Sequence, residues 1–174
     1  MFMRSLRRHL DSNQYYKTIY PSTHIYPMMK TLILGIGNPV LGDDAVGIVV
    51  ANKLNGKNLK NVDVETANTT VDIISLISGY DRVFVVDAVK TKNGKAGKIH
   101  KLGSENLRQT IRHSVHDIDL STMLKTGEKL GIKMPEIIIY GVEVDNIDRF
   151  NEGLSKDVEA AVPTLVEKIM EELI

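Results

Sequence analysis

Three carboxylates and one histidine stand where this sequence could support metal or acid–base chemistry. Asp43 and Asp44 are adjacent in a turn rich in Gly and Pro, Asp87 follows the apolar run Val83–Val86, and His116 precedes a helical pattern. In an open α/β sheet, ligands bind outside the carboxyl ends of the strands, so residues that follow strands can meet there. Carboxylates and an imidazole together form a mixed oxygen and nitrogen ligand set suited to Zn, Ni, Mn or Fe.

Each of these residues also has an ordinary structural explanation. Aspartate commonly caps a helix start, and we expect Asp43 to be that cap while Asp44 faces the crevice. Asp87 could instead form a turn after its strand. His113 competes with His116, because a helix presents residues three apart on one face. The other histidines are assigned to the surface or to the N-terminal arm: His9, His24 and His100.

The glycines beside the acidic pair do not form a dinucleotide-binding fingerprint. Gly35 and Gly37 are followed by Val40, where that fingerprint has a third glycine. Two carboxylates would also repel a pyrophosphate at a helix N-terminus, where anions normally bind. The turn is therefore suited to a cation or a proton.

Several other catalytic classes are excluded by the sequence. It contains no H-E-x-x-H, G-x-S-x-G or G-x-x-x-x-G-K-[ST] motif. It also contains no cysteine, which excludes a thiolate nucleophile, a disulfide and Cys-ligated zinc. An aspartic dyad of Asp43 and Asp44 is disfavoured, because adjacent side chains at a helix start point apart.

The elements that must position these residues are predicted from apolar runs, turns and helical periodicity. Strands are predicted at Lys30–Ile36, Val62–Thr66, Arg82–Asp87, Gly97–Leu102 and Glu136–Val142. Helices are predicted at Asp44–Leu54, Val71–Gly79, Asp117–Leu130 and Ser155–Leu173. Ser155 is the expected N-cap of the last helix, and Pro163 predicts a kink or a break within it. The alternation predicts an α/β three-layer sandwich, with a mostly parallel twisted sheet of about five strands and helices on both faces.

Length and composition indicate one globular domain. The 174 residues carry 22 basic and 22 acidic side chains, enough chain to bury a core. We assign residues 1–29 to a basic arm, or to sequence upstream of a natural start near Met28 and Met29, and residues 30–174 to a single α/β domain. No apolar run is long enough to enter a membrane, and no general nucleic-acid surface is expected on the domain. We expect a cytoplasmic protein; the sequence does not determine the oligomeric state, and we favour a monomer.

Short segments of the sequence resemble the hydrogenase maturation endopeptidases. The segments are Leu34–Gly47, Val83–Ala88, Ser114–His116, Gly141–Glu143 and Gly153–Ser155. They follow one another with similar spacing over about residues 30–173. The first is specific, because Gly-x-Gly-Asn followed by an acidic pair and a further Gly is not a dinucleotide pattern.

The resemblance implies an endopeptidase that removes the C-terminal tail of a [NiFe] hydrogenase large-subunit precursor after nickel insertion. The family's metal-binding positions fall on Asp44, Asp87 and His116, with Asp44 and Asp87 as the catalytic carboxylates. Asn38 and Asp43 match positions that shape the turn. The nickel would be carried by the precursor and bound only transiently, so that metal recognition acts as a checkpoint. An aspartic-type mechanism, with a carboxylate as general base, and a metal-assisted one, with a metal-bound water, both stay open.

One segment departs from the family pattern. Glu65–Thr70 stands where relatives have a Gly-rich, Asp-Gly-Gly-Thr-like segment, and losing those glycines removes backbone freedom from a loop implied in substrate recognition. Two other interpretations stay open. One is a non-catalytic metal- or nucleotide-binding module similar to a metallochaperone, and the other is a hydrolase with its own tightly held ion.

Overall fold

The fold is known from a computed structural model of the chain, which describes residues 29–68, 73–103, 126–127, 129–145, 147 and 153–173. The strands are β1 (Thr31–Ile36), β2 (Val62–Ala67), β3 (Arg82–Val89), β4 (Ile99–Gly103) and β5 (Glu136–Glu143). A 3-10 turn (Gly42–Ala45) precedes α1 (Val46–Asn55), and the further helices are α2 (Ile73–Ile77) and α3 (Lys156–Leu173). No helix in these ranges combines the length and the apolar character needed to cross a bilayer.

The five strands form one sheet in the order β2-β1-β3-β5-β4. All neighbouring pairs are parallel except β4 and β5, which are antiparallel. After β1 the chain adds β2 on one side, and after β3 it adds β4 and β5 on the other, so the strand order reverses between β1 and β3. Ligands of open α/β sheets bind at such a switch point. The predicted α/β architecture is confirmed.

The two faces of the sheet bury separate apolar cores, because side chains alternate along each strand. On the face covered by α1 and α3, Ile33, Phe84 and Tyr140 pack with Leu54 and Leu165. On the face covered by α2, the buried residues are Leu32, Leu34, Ile36, Ile73, Ile77, Val83, Val85, Ile137 and Ile139. Helices therefore lie on both sides of the sheet, as predicted.

Several predicted boundaries differ from the structure by one or two residues. The first helix begins at Val46 rather than Asp44, because Gly42–Ala45 forms the tighter 3-10 turn. β3 continues to Val89, since its ladder with β5 extends two pairs beyond Asp87. The sequence predicts a kink or a break of the last helix at Pro163, but α3 is continuous through it, so no break occurs. Pro163 is exposed, so water can bond the carbonyl that its missing N–H leaves free.

Some predicted elements lie outside the described residues. These are residues 1–28 of the arm predicted at 1–29, and most of the helix at Asp117–Leu130, of which Thr126, Gly127 and Lys129 are described as helical and Leu130 as a turn. Of the unusual segment Glu65–Thr70, the first three residues belong to β2, and Thr69 and Thr70 are not described.

Candidate functional site

The glycines of the first motif allow β1, β3 and α1 to pack backbone against backbone. A Cβ on Gly47 would lie 2.2 Å from the carbonyl oxygen of Ile36 and 2.3 Å from that of Val86. A Cβ on Gly35 would lie 2.3 Å from the carbonyl oxygen of Gly47. The start of α1 is thus docked directly on the ends of both strands. These glycines serve close packing at the switch point.

Asp44 is fixed within the loop that follows β1. It is 1% exposed, and its Oδ2 accepts a hydrogen bond from the backbone N–H of Asn38 at 2.9 Å. The Asn38 side chain accepts one from the N–H of Val40 at 3.2 Å, and the Asn38 carbonyl accepts one from Leu41 at 3.1 Å. The 3-10 turn that carries Asp44 lies against β3. The loop therefore orients this carboxylate at the carboxyl edge of β1 and β3.

Asp87 lies on the neighbouring strand at the same edge. It is 2% exposed, and its Oδ1 accepts from the N–H of Ala88 at 2.8 Å. The ladder between β1 and β3 ends at the pair of Gly35 and Val86, so Asp87 is the first β3 residue beyond it. On its other side it still pairs with Gly141 of β5. Asp87 is thus a strand residue beside the crevice and not a turn former.

Asp43 does not cap a helix, and that expectation is wrong. Neither the 3-10 turn nor α1 has a side-chain cap hydrogen bond. Instead, Oδ1 of the buried Asp43 accepts from the N–H of Ser155 at 2.6 Å, joining the first loop to the start of α3. The 3-10 geometry moves the cap position to Leu41, which leaves Asp43 inside the turn. The adjacent carboxylates of Asp43 and Asp44 thus have different bonding partners.

The histidine of the predicted site lies outside the described residues, as does the competing His113. Asp44 and Asp87 are the two members of the predicted metal-ligand set that the structure describes. Within the described ranges, no group of three or more His, Asp or Glu residues could hold a metal ion. The two buried carboxylates place oxygen atoms, which are possible ligands of a divalent cation, at the carboxyl edge of the sheet.

A second buried carboxylate cluster was missed by the sequence reasoning. Glu143, at the end of β5, is 1% exposed and accepts from the Thr91 N–H at 2.5 Å and the Thr91 hydroxyl at 3.0 Å. Its Oε2 also lies 2.9 Å from Nε2 of His100. We call these three residues the Glu143 clamp. The assignment of His100 to the surface is wrong, because its side chain is only 24% exposed and is paired with Glu143.

Shifted pKa values mark the opposite, amino-terminal edge of the sheet. Burial and the hydrogen bond that its hydroxyl donates to Asp63 raise the pKa of Tyr80 to about 12. The backbone N–H of Lys30, 3.1 Å from Oδ2 of Asp81, lowers the pKa of that carboxyl, and Lys133 lowers it further. These contacts join the starts of the strands and lie away from Asp44 and Asp87, so they stabilise the fold.

Comparison with known proteins indicates the family to which this chain is similar. The family model described as hydrogenase maturation protease matches residues 48–172. A Methanocaldococcus jannaschii relative named for the same family is 32% identical over 148 residues, covering 82% of this chain and 95% of its own.

Solved structures of similar proteins share the fold. The hydrogenase maturating endopeptidase HybD from Escherichia coli is 21% identical, with a TM-score of 0.72, covering 83% of this chain and 92% of its own. The [NiFe] hydrogenase maturation protease HycI from Thermococcus kodakarensis is 26% identical, with a TM-score of 0.67 and the same coverage. The fold of this chain is thus similar to that of each neighbour along most of its length.

Proposed function

The chain belongs to the hydrogenase maturation protease family, and from that premise we propose that it removes the C-terminal tail of a [NiFe] hydrogenase large-subunit precursor after nickel insertion. The observation that carries the proposal is the pair of buried carboxylates, Asp44 and Asp87, at the switch point between β1 and β3. Open α/β sheets bind their ligands at this position.

Nickel enters this proposal as part of the substrate. Carboxylate oxygens and an imidazole form a weaker nickel site than thiolates do, and the chain has no cysteine with which to retain the metal. Asp44, Asp87 and His116 would engage the nickel that the precursor presents and release it with the product. Recognition of the metal thereby limits cleavage to precursors that are already loaded.

The hydrogen bonds at the two carboxylates support a role in positioning. Asn38 donates to Asp44, and Ala88 donates to Asp87, each through a backbone N–H. Hydrogen bonds to a carboxylate are short and strong, so they hold each group in one orientation before the precursor arrives. With the scissile bond placed beside them, Asp44 or Asp87 can accept a proton from the attacking water as a general base.

The test compares nickel-loaded with nickel-free precursor and follows loss of the tail by mass spectrometry. We expect cleavage of the loaded form only, and its loss in Asp44→Asn and Asp87→Asn. Asp63→Asn is the matched control, because Asp63 lies at the amino-terminal edge of the sheet, and it should cleave as the wild type does.

Three outcomes would contradict parts of this proposal. Cleavage of both precursor forms would refute the nickel checkpoint, and cleavage of neither would refute the peptidase assignment for this substrate. His116→Ala should abolish nickel-dependent cleavage while His113→Ala retains it. The reverse result would move the metal-binding role to His113.

A further inference from the structure

The connection between β3 and β4 carries four exposed lysines and no acidic residue of its own. Lys90, Lys92, Lys95 and Lys98 are all exposed, and no acidic residue occurs between positions 88 and 104. In the ion pairs formed between described residues, none of these four lysines takes part. Lys90 donates to the backbone carbonyl of Asp145 at 2.9 Å, which leaves its charge unpaired. We call residues 90–98 the lysine connection.

The lysine connection is held in place by the Glu143 clamp. Thr91 bonds the carboxylate near the start of the connection, and His100 bonds it just after the end. The backbone of Glu143 adds a bond from the N–H of Gly97 at 2.9 Å. At Gly94 there is no room for a side chain, because a Cβ would lie 1.8 Å from the Glu143 carboxyl. The lysines therefore project from an anchored backbone.

The lysine connection borders the candidate site. It begins directly after β3, three residues beyond Asp87, and the last pair of the β3–β5 ladder joins Val89 to Glu143. It therefore lies at the carboxyl edge, on the β5 side of the switch point. A macromolecule that brings its reacting segment to Asp44 and Asp87 would pass close to these lysines.

We propose that the lysine connection is a docking surface for an acidic segment of the protein substrate. The proposal rests on the proposed function and adds the chemistry by which the precursor is recognised. Exposed like charges attract an oppositely charged partner, speed its association and fix its orientation. The connection contains no aromatic residue on which nucleic-acid bases could stack, so an acidic polypeptide fits it better than a single-stranded nucleic acid.

The test is charge reversal at Lys92 and Lys95, whose side chains are exposed. The control reverses Lys57 and Lys60, two exposed lysines beyond the end of α1 at the opposite edge of the sheet. Both variants change the net charge equally. Precursor binding is measured by biolayer interferometry, and cleavage by mass spectrometry, between about 0.05 and 0.5 M salt, where screening becomes strong.

We expect the Lys92→Glu/Lys95→Glu variant to raise KM and Kd for the precursor about tenfold at low salt, with kcat unchanged. Its binding should also depend less on salt than that of the wild type, and the Lys57→Glu/Lys60→Glu control should match the wild type. Equal KM and Kd in all three proteins, with cleavage intact, would refute the docking surface and leave the proposed function standing. Precursor that binds through these lysines without being cleaved would refute only the peptidase assignment. Absence of precursor binding, with lysine-dependent binding of poly(U) instead, would overturn the acidic-polypeptide assignment.

Discussion

The Glu143 clamp makes a quantitative prediction about stability. Glu143→Ala removes three hydrogen bonds from a carboxylate that is 1% exposed. A hydrogen bond to a charged group is worth about 1.5–3 kcal/mol, but the desolvation of the carboxylate offsets part of that gain. Thr91 and His100 are only partly buried, so water can reach their donors in the variant. We therefore expect the free energy of unfolding to fall by about 2–4 kcal/mol.

The assay is urea denaturation followed by circular dichroism. A stability effect shifts the midpoint and leaves the slope unchanged. Glu136→Ala is the matched control, since Glu136 starts the same strand and pairs with Arg82 at 2.9 Å while its side chain is 47% exposed. An exposed ion pair of this kind is worth about 1 kcal/mol or less. If both variants lose the same free energy, the buried clamp does not stabilise the fold and this reasoning is wrong.

Two further predictions concern a backbone contact and a titrating side chain. Gly47→Ala should lower the free energy of unfolding, measured by thermal denaturation, by about 3 kcal/mol. The reason is that its Cβ would lie 2.2 and 2.3 Å from two carbonyl oxygens. The control is Gly56→Ala, which should be neutral or slightly stabilising because the atom nearest to its Cβ lies 3.9 Å away. Tyr80 has a pKa raised from 10 to about 12, so its neutral form stabilises the fold below pH 10 and that contribution is lost as the pH rises to 12. The urea midpoint of Tyr80→Phe should therefore fall less than that of the wild type between pH 10 and pH 12. An equal fall in both proteins would contradict the raised pKa of Tyr80.

The strands could be predicted because their signals are local. Apolar runs such as Val83–Val86 mark them, and four of the five strands start within one residue of the predicted position. The strand reached from the Lys92–Lys95 turn starts two residues late, at Ile99. The alternation of strands and helices then predicts a mostly parallel sheet, because parallel strands are joined by crossover connections whose helices lie on the faces of the sheet.

The contacts of Asp43 and Glu143 could not be predicted, because they depend on distant parts of the chain. The capping rule that was applied to Asp43 considers only the next three residues, whereas its partner Ser155 lies 112 residues away. Likewise, His100 reaches Glu143 only because β4 pairs antiparallel with β5, with His100 opposite Gly141. One signal for the contact of Glu143 is present in the sequence. Alternate residues of a strand share a face, so Glu143 lies on the same buried face as Ile139, and a charged residue on a buried face needs a partner.

The register of the sheet separates the two proposed roles at the carboxyl edge. Asp87, Gly141 and His100 stand opposite one another across β3, β5 and β4. Asp44 lies on the β1 side of this row, in which Asp87 is the first member, and the lysine connection lies on the other side, anchored through His100 and Glu143. Substitutions at Asp44 or Asp87 should therefore lower kcat, whereas charge reversal in the lysine connection should raise KM. Because chemistry and docking are assigned to different segments of the chain, each can be removed while the other is measured.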